Sequence, residues 1–153
     1  MRNLRFGRAL VLAIPFVAAG AFSRPAEAQT GLQYFAVTPC RAIDTRPTGV
    51  PSGPFLGFQI KGVCAIPATA KAVSLNLTIV GPTAEGFFSL WPFGGPFPVV
   101  STINFLAGEP AIANGAIVPL ALVGTPDLNG VYGIGGTGVA STNVLMDVTG
   151  YFQ

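Results

Sequence analysis

The sequence predicts an all-β fold, an antiparallel β-sandwich of immunoglobulin-like or jelly-roll-like type with about eight short strands. Within Lys71–Val80, apolar and polar residues alternate strictly from Val73 to Ile79, as in a strand with one buried and one wet face. A helix with this spacing would scatter its apolar residues around the axis. The 20 glycines and 14 prolines divide the rest into short segments without helical period. We therefore take Lys71–Val80 as the central strand.

Residues 1–28 have the layout of a secretory signal peptide. Three arginines lie within the first eight residues, an apolar run follows from Ala9 to Phe22, and Ala26-Glu27-Ala28 is a small-x-small cleavage site. The apolar run is shorter than the ~20 residues of a membrane span. We therefore expect a secreted bacterial protein with one β-sandwich domain over residues 29–153 and no membrane insertion after signal cleavage.

The segment after the expected cleavage site carries very little charge. Four Lys and Arg residues face five Asp and Glu residues, so the basic character of the whole chain belongs mostly to the signal peptide. The absence of a clustered basic face excludes nucleic acid as a partner. About 7% of these residues are charged, against about 25% in ordinary soluble domains. The surface must therefore be covered by small polar residues or be buried against other molecules.

Before the central strand, the pattern predicts two strands separated by a turn-rich region. Gln29–Thr38 is the first strand, and Pro39–Arg46 is a compact mixture of polar and apolar residues. Pro47–Pro54 holds three prolines and two glycines and is predicted to be a loop. Phe55–Ile60 is a short strand that Gly57 interrupts.

After the central strand, Gly and Pro separate the remaining predicted strands. Asn114-Gly115 interrupts one of them early, and Pro119 places that strand at a sheet edge or marks its end. Asp127–Gly130 is predicted to be a turn, and a short strand begins at Val131. The other predicted strands are Phe87–Trp91, Val99–Phe105, Ile112–Val118 and Asn143–Phe152.

Five segments, in order along nearly the whole expected mature chain, resemble a known family. They are Thr38–Arg46, Ile66–Thr78, Ser101–Phe105, Ala113–Leu120 and Asp147–Phe152. The family is a secreted bacterial β-domain that often occurs in tandem copies in cell-surface and extracellular proteins. The resemblance implies an extracellular structural or adhesive module without established enzymatic activity. This chain resembles the single-copy form, so it is expected to obtain repetition by self-association.

Cys40 and Cys64 are the only cysteines. In an exported chain they are expected to form a disulfide, which closes a loop of about 25 residues and stabilises the fold by about 3 kcal/mol. A metal site needs more ligands than two thiolates, and the sequence contains no His. A reactive thiol is the remaining alternative.

Four charged residues, Arg41, Asp44, Arg46 and Asp147, lie inside otherwise apolar segments. One interpretation is a carboxylate site, either a hydrolase pair or a Ca²⁺ site. The favoured interpretation is structural, with an Asp fixing a turn and an Arg–Asp pair bridging strands. We predict that Arg41 or Arg46 pairs with Asp44 or Asp147.

Enzyme signatures are weak throughout, and we expect neither catalysis nor a cofactor. Without His, no Ser-His-Asp or Cys-His system can form. Glu85 and Glu109 lie in predicted turns, and their spacing does not bring them together. The glycine-rich run Gly133–Gly138 does not precede a helix, so it is not a phosphate-binding loop.

The predicted loop after Phe87–Trp91 is unusually aromatic, with Trp91, Phe93 and Phe97 and no charge up to Pro98. Three interpretations are open: the loop caps the end of the sandwich, contacts a neighbouring subunit, or stacks against sugar rings. In the first strand, Tyr34 and Phe35 are further candidate contact residues.

The sequence favours a secreted structural subunit of an extracellular assembly such as a filament, sheath or surface layer. Self-association is expected through strand edges and apolar loops, with Gln29–Val37 adding to an exposed edge of the next subunit. The partner is then another copy of the chain. The alternative is a monomeric cell-surface binding or adhesion module, with a glycan or a protein as its partner.

Overall fold

The structure is a computed structural model that describes residues 31–46 and 48–153, so the expected signal peptide at residues 1–28 lies outside the described residues. Two antiparallel sheets contribute to one hydrophobic core, and the described ranges contain nine strands and no helix. This confirms the predicted all-β sandwich. In the same ranges no helix has the length and apolar composition that a membrane crossing needs.

The first sheet has five strands in the order β1-β9-β4-β7, and β2 pairs with β9 beside this path. The central position of β4, between β9 and β7, confirms the role predicted for Lys71–Val80. The strands are β1 (Tyr34–Asp44), β2 (Val50–Pro51), β4 (Ala72–Val80), β7 (Ile112–Pro119) and β9 (Ser141–Phe152).

The second sheet has four strands in the order β3-β8-β5-β6. It is the smaller of the two sheets, and its two edge strands hold only three residues each. The strands are β3 (Leu56–Phe58), β5 (Gly86–Pro92), β6 (Ile103–Phe105) and β8 (Leu128–Ile134).

The core lies between the two sheets and follows the alternation of their strands. The apolar side chains of β4 that point inward are at most 2% exposed, whereas the polar residues between them are only partly buried. Opposite them, the second sheet contributes large rings, and each fully buried large apolar side chain is worth about 1.5–3 kcal/mol. The largest core residues include Leu77, Ile79, Phe88, Leu128, Tyr132 and Met146.

Two predictions for the first part of the chain were wrong. The segment Pro39–Arg46 is not a separate unit, because β1 continues through it to Asp44. Register shifts between β1 and β9 let the strand pass Pro39 and still reach its partner residues. The predicted loop Pro47–Pro54 also contributes a short strand, β2, which pairs with the beginning of β9.

Three predictions for the later part were also wrong. Asp127–Gly130 is not a turn, because β8 begins at Leu128 and pairs with both β3 and β5. The predicted strand Val99–Phe105 is reduced to Ile103–Phe105. Asn114-Gly115 does not interrupt β7, which pairs with β4 at eight successive positions. The predicted edge position at Pro119 is confirmed.

Candidate functional site

The disulfide joins Cys40 in β1 to Cys64 in the segment that precedes β4, with the two Cα atoms 5.6 Å apart. This confirms the predicted pairing. Cys64 and its neighbour Ala65 have φ angles of 52° and 60°, a left-handed conformation that costs about 1 kcal/mol for each non-glycine residue. Main-chain hydrogen bonds from Ile66 N to Val63 O and from Gly62 N to Ile66 O hold this tight turn. The disulfide therefore fixes a constrained turn to an edge strand.

The structure brings the four predicted charged residues together in one network. Arg41 and Asp147 are opposed in the β1–β9 ladder, and the guanidinium donates to the carboxylate at 2.7 and 2.9 Å. Arg46 donates to Asp44 at 2.6 and 3.0 Å from its side chain and at 3.0 Å from its main-chain N–H. A longer contact of 3.8 Å from Arg41 to Asp44 joins the two pairs.

Arginine neighbours favour the ionised form of both carboxylates. The hydrogen bonds from Arg46 lower the pKa of Asp44 to about 2, and the hydrogen bond from Arg41 is the main cause of a lowered pKa at Asp147. The side chains keep 29–49% exposure, so solvent weakens each pair. Among the described residues no group of three or more His, Cys, Asp or Glu is placed to hold a metal ion. The network is arranged to join β1 to β9.

Thr45 completes this end of β1 with main-chain contacts to β9. Its main-chain N–H donates to Val144 O at 3.1 Å, and its hydroxyl oxygen accepts from Val144 N at 2.7 Å. Its carbonyl accepts from Gly49 N at 2.8 Å. The motif from Cys40 to Arg46 therefore acts as a covalent, ionic and hydrogen-bonded attachment of one edge strand.

Trp91 lies in a cluster of three rings, which we call the aromatic cluster: Phe55, Trp91 and Phe97. Phe55 and Phe97 each meet the indole edge-on, with centroids 5.0 and 5.3 Å away, and they stack on one another at 5.6 Å. Trp91 is only 4% exposed, but Phe55 is 61% and Phe97 47% exposed. Phe55 was not among the predicted contact residues, because it precedes Trp91 by 36 positions and the sequence gives no sign that they meet.

The loop after β5 folds back along its own strand. Gly95 N donates to Pro92 O at 3.0 Å and closes a turn, and the Trp91 indole N–H donates to Gly95 O at 3.2 Å. Further along the loop, two hydrogen bonds tie it to β5. Ser89 Oγ donates to Val100 O, and Leu90 N donates to the Thr102 hydroxyl oxygen.

The folded-back loop leaves an apolar cleft of about 200 Å³ beside the aromatic cluster. It is lined by Phe87, Phe97, Val99 and Val100, among others, and Val99 is fully exposed while Val100 is 68% exposed. Phe93 is 41% exposed. The cap interpretation thus fits Trp91, whereas the outward rings of Phe93 and Phe97 leave subunit contact and sugar stacking open.

The first strand is already paired within its own chain. Tyr34 and Phe35 lie opposite Phe152 and Tyr151, with ring centroids 5.0 and 5.2 Å apart. The Tyr34 hydroxyl also donates to Thr149 O. A strand held in this way must be released from β9 before it can leave its own sheet and insert into another subunit, and otherwise only its outer edge is open to a partner. The described part of Gln29–Val37 is therefore not a free donor strand.

Sequence reasoning missed a buried carboxylate at Asp127. Its side chain is fully buried, and Oδ2 accepts from Gln59 Nε2 at 2.9 Å, from Ile60 N at 2.8 Å and from Lys61 N. The Lys61 ammonium group donates to Ala121 O close by. Asp127 is the only charged residue between Glu109 and Asp147, which is the signal that was available in the sequence.

The main-chain groups of Asp127 also form hydrogen bonds, and these reach three further segments. Its N–H donates to Phe58 O at 3.1 Å, and its carbonyl accepts from Phe93 N and Ala121 N at 3.1 and 3.0 Å. Asp127 therefore joins the end of β3, the segment after β7 and the start of the loop between β5 and β6, residues 93–102, which we call the aromatic loop. These contacts give it a structural role.

No family model matches the chain, and no curated protein matches it. Among solved structures, the chain is similar to the tobacco streak virus coat protein dimer, with 12% sequence identity and a TM-score of 0.38. The similarity covers 80% of this chain and 89% of the coat protein chain. A likeness at this level carries no argument about function.

Proposed function

We propose that the protein is a secreted structural subunit that associates with copies of itself in an extracellular assembly. The observation that carries this proposal is the exposed apolar surface around the aromatic cluster. Phe55, Phe97, Val99 and Val100 expose between 47% and 100% of their surface. Contiguous apolar surface of this kind marks interaction sites in soluble proteins.

The lack of charge around this surface supports the proposal. No charged residue occurs between Glu85 and Glu109, a segment that includes β5, the aromatic loop and β6. Removing apolar surface from water contributes roughly 25 cal/mol per Å². A partner that covers Phe55 and Phe97 gains this free energy without desolvating an ionic group.

Export is supported by the signal-peptide pattern at residues 1–28 and by the disulfide. Disulfides persist in oxidising compartments outside the cytosol. The Cys40–Cys64 bond fixes a turn whose residues have unfavourable backbone angles, so it suits a subunit that must stay folded outside the cell.

Multi-angle light scattering and negative-stain microscopy of the secreted protein under non-reducing conditions test the proposal. We expect oligomers or regular polymers. Phe55→Ser combined with Phe97→Ser should lower the mean mass, because both rings are exposed and their loss spares the core. The matched control is Val139→Ser, at a residue that is 90% exposed and belongs to another loop. A wild-type monomer at all concentrations would contradict the proposal.

One observation favours a second function, a monomeric binding module for a surface glycan. Phe55 and Phe97 are stacked with an interplanar angle of 18° and both are exposed, and aromatic faces of this kind can stack against sugar rings. For this function, a monomeric protein should be retained by immobilised polysaccharide, and Phe97→Ser should abolish the retention.

A further inference from the structure

The outer edge strand of the five-stranded sheet, β7, has a free side. It pairs with β4 at eight positions without a register shift, and no other strand pairs with it among the described residues. From Ala113 to Gly115 the strand is exposed, and Ile117 is 65% exposed. The main-chain groups on this side are therefore open to a partner.

The alternation of the strand identifies which groups these are. Leu120 N donates to Lys71 O at 2.8 Å, so the main-chain groups of Leu120 turn toward β4. Because the direction alternates along a strand, those of Ala113, Gly115 and Ile117 point to the free edge. Pro119 falls on the same side, where its missing N–H removes no donor from the β4–β7 ladder.

The other edges of the sandwich are protected in ways that β7 is not. β1 has two register shifts, Pro39 and the charged residues Arg41 and Asp44, all of which discourage strand addition. The edge strands β3 and β6 hold only three residues each. β7 has no register shift and no charge, and its single proline lies at its end.

We propose that β7 pairs antiparallel with β7 of a second copy, around a two-fold axis at Gly115, so that two five-stranded sheets become continuous. This inference rests on the proposed self-association and names its contact. An edge partner must be an extended segment with its own free edge, and each copy offers such a segment at the same place.

In the proposed register, the free main-chain N–H and C=O groups of β7 find hydrogen-bond partners, and part of the exposed Ile117 side chain is covered. Gly115 faces Gly115 of the second copy, and Ala113 faces Ile117 of the second copy, which gives about six main-chain hydrogen bonds. Ile117 then lies beside a small side chain. No charged side chain is present on β7 to repel its copy.

A two-fold contact closes on itself and produces a dimer only. Larger assemblies therefore need a second contact, which the aromatic cluster on the other sheet supplies. Loss of the two outward phenylalanines should accordingly leave dimers, and additional loss of the β7 contact should leave monomers.

The direct test is disulfide trapping with Gly115→Cys. A Cβ at Gly115 meets no atom within 4 Å, and its φ angle is not positive, so the variant should fold. The described chain has no free cysteine, so the new thiol has only its copy as partner. Directly opposed residues have Cα atoms about 5.5 Å apart, within the range that a disulfide spans. We expect most of the protein to run as a covalent dimer on a non-reducing gel, whereas Thr137→Cys, in an exposed loop, should stay monomeric.

A second variant keeps the inference testable if the cysteine variant fails to fold. In the Phe55→Ser, Phe97→Ser background, which should leave dimers, Ala113→Lys combined with Ile117→Lys places charges on the β7 edge and should lower the scattering mass about twofold, whereas Val139→Lys should not. The β7 contact would be overturned, and the proposed function left standing, if the wild type forms oligomers, the lysines leave the scattering mass unchanged and Gly115→Cys does not cross-link. A wild-type monomer would overturn both.

Discussion

Arg41 and Asp147 form a bidentate ion pair, at 2.7 and 2.9 Å, between opposed positions of β1 and β9. The disulfide of Cys40 lies at the next position along β1. The β1–β9 register shifts just before Cys40 and again just after Arg41, so the disulfide and the ion pair lie between the two shifts. Side-chain attachments thus hold an edge strand whose main-chain ladder is irregular.

Asp147→Asn should weaken this attachment. The pair is partly exposed, so we expect a modest fall in Tm, about 2 °C at pH 7. The measurement is thermal unfolding of the variant, of Arg41→Gln and of the double variant, since a double-mutant cycle isolates the pair. An unchanged Tm for Asp147→Asn would exclude a structural pairing through this carboxylate.

The ion pairs also predict how stability depends on pH. Both carboxylates have lowered pKa values in the folded protein, to about 2 for Asp44, so the folded state favours their ionised form more strongly than the unfolded state does. Their contribution is complete above the unfolded pKa of about 4 and is lost as the pH falls toward about 2. Thermal unfolding between about pH 6 and pH 2 should show this fall, and Asp44→Asn should flatten it. An equally steep fall in the variant would contradict the assignment.

Removing the disulfide should be the more costly change. Cys40→Ser combined with Cys64→Ser frees a loop with a sequence separation of 24 residues and should lower the free energy of unfolding by about 3 kcal/mol. Urea unfolding checks this value, and the wild-type protein under reducing conditions is the control. If reduction leaves the urea midpoint unchanged, the turn at Cys64 is held by its hydrogen bonds alone.

The central strand and the disulfide were predictable because their signals are local or compositional. In β4 the alternation runs through the seven residues from Val73 to Ile79, and two cysteines allow only one intramolecular pair. The extension of β1 to Asp44 was not predictable, since it depends on β9, about 100 residues away, to accept a strand with an irregular register. A period-2 pattern is lost wherever such shifts occur.

In the candidate site, too, the features with a local signal were predictable and those that depend on distant residues were not. The local sequence marks Trp91 and Phe97 as unusual in a loop, but their third ring, Phe55, comes from a distant segment. Asp127 resembles a turn residue because Asn and Gly follow it closely. Its buried carboxylate accepts hydrogen bonds from main-chain donors in residues 60 and 61, and no local pattern shows that these residues lie beside it.

Asp127→Ala should destabilise the fold by about 3 kcal/mol, because it leaves the buried N–H groups of Ile60 and Lys61 without an acceptor. Asp127→Asn keeps one acceptor oxygen in place and should cost clearly less. Urea unfolding of the two variants separates the requirement for an acceptor from the requirement for a charge. Equal losses in both variants would show that the negative charge is needed.

Trp91 and Phe97 should separate folding from assembly. Trp91→Ala removes a side chain that is 4% exposed and should lower the free energy of unfolding by about 3 kcal/mol, as for other buried aromatic residues. Phe97→Ser removes a ring that is 47% exposed and should cost about 1–2 kcal/mol, less than Trp91→Ala, while lowering the scattering mass. Circular dichroism in urea measures the stability of both variants.

Trp91 is the only tryptophan, so its fluorescence reports on its environment in the Phe97→Ser variant. The emission should shift to longer wavelength as the indole meets water. A Phe97→Ser variant that unfolds as readily as Trp91→Ala would show that the ring belongs to the cap and is not available to a partner.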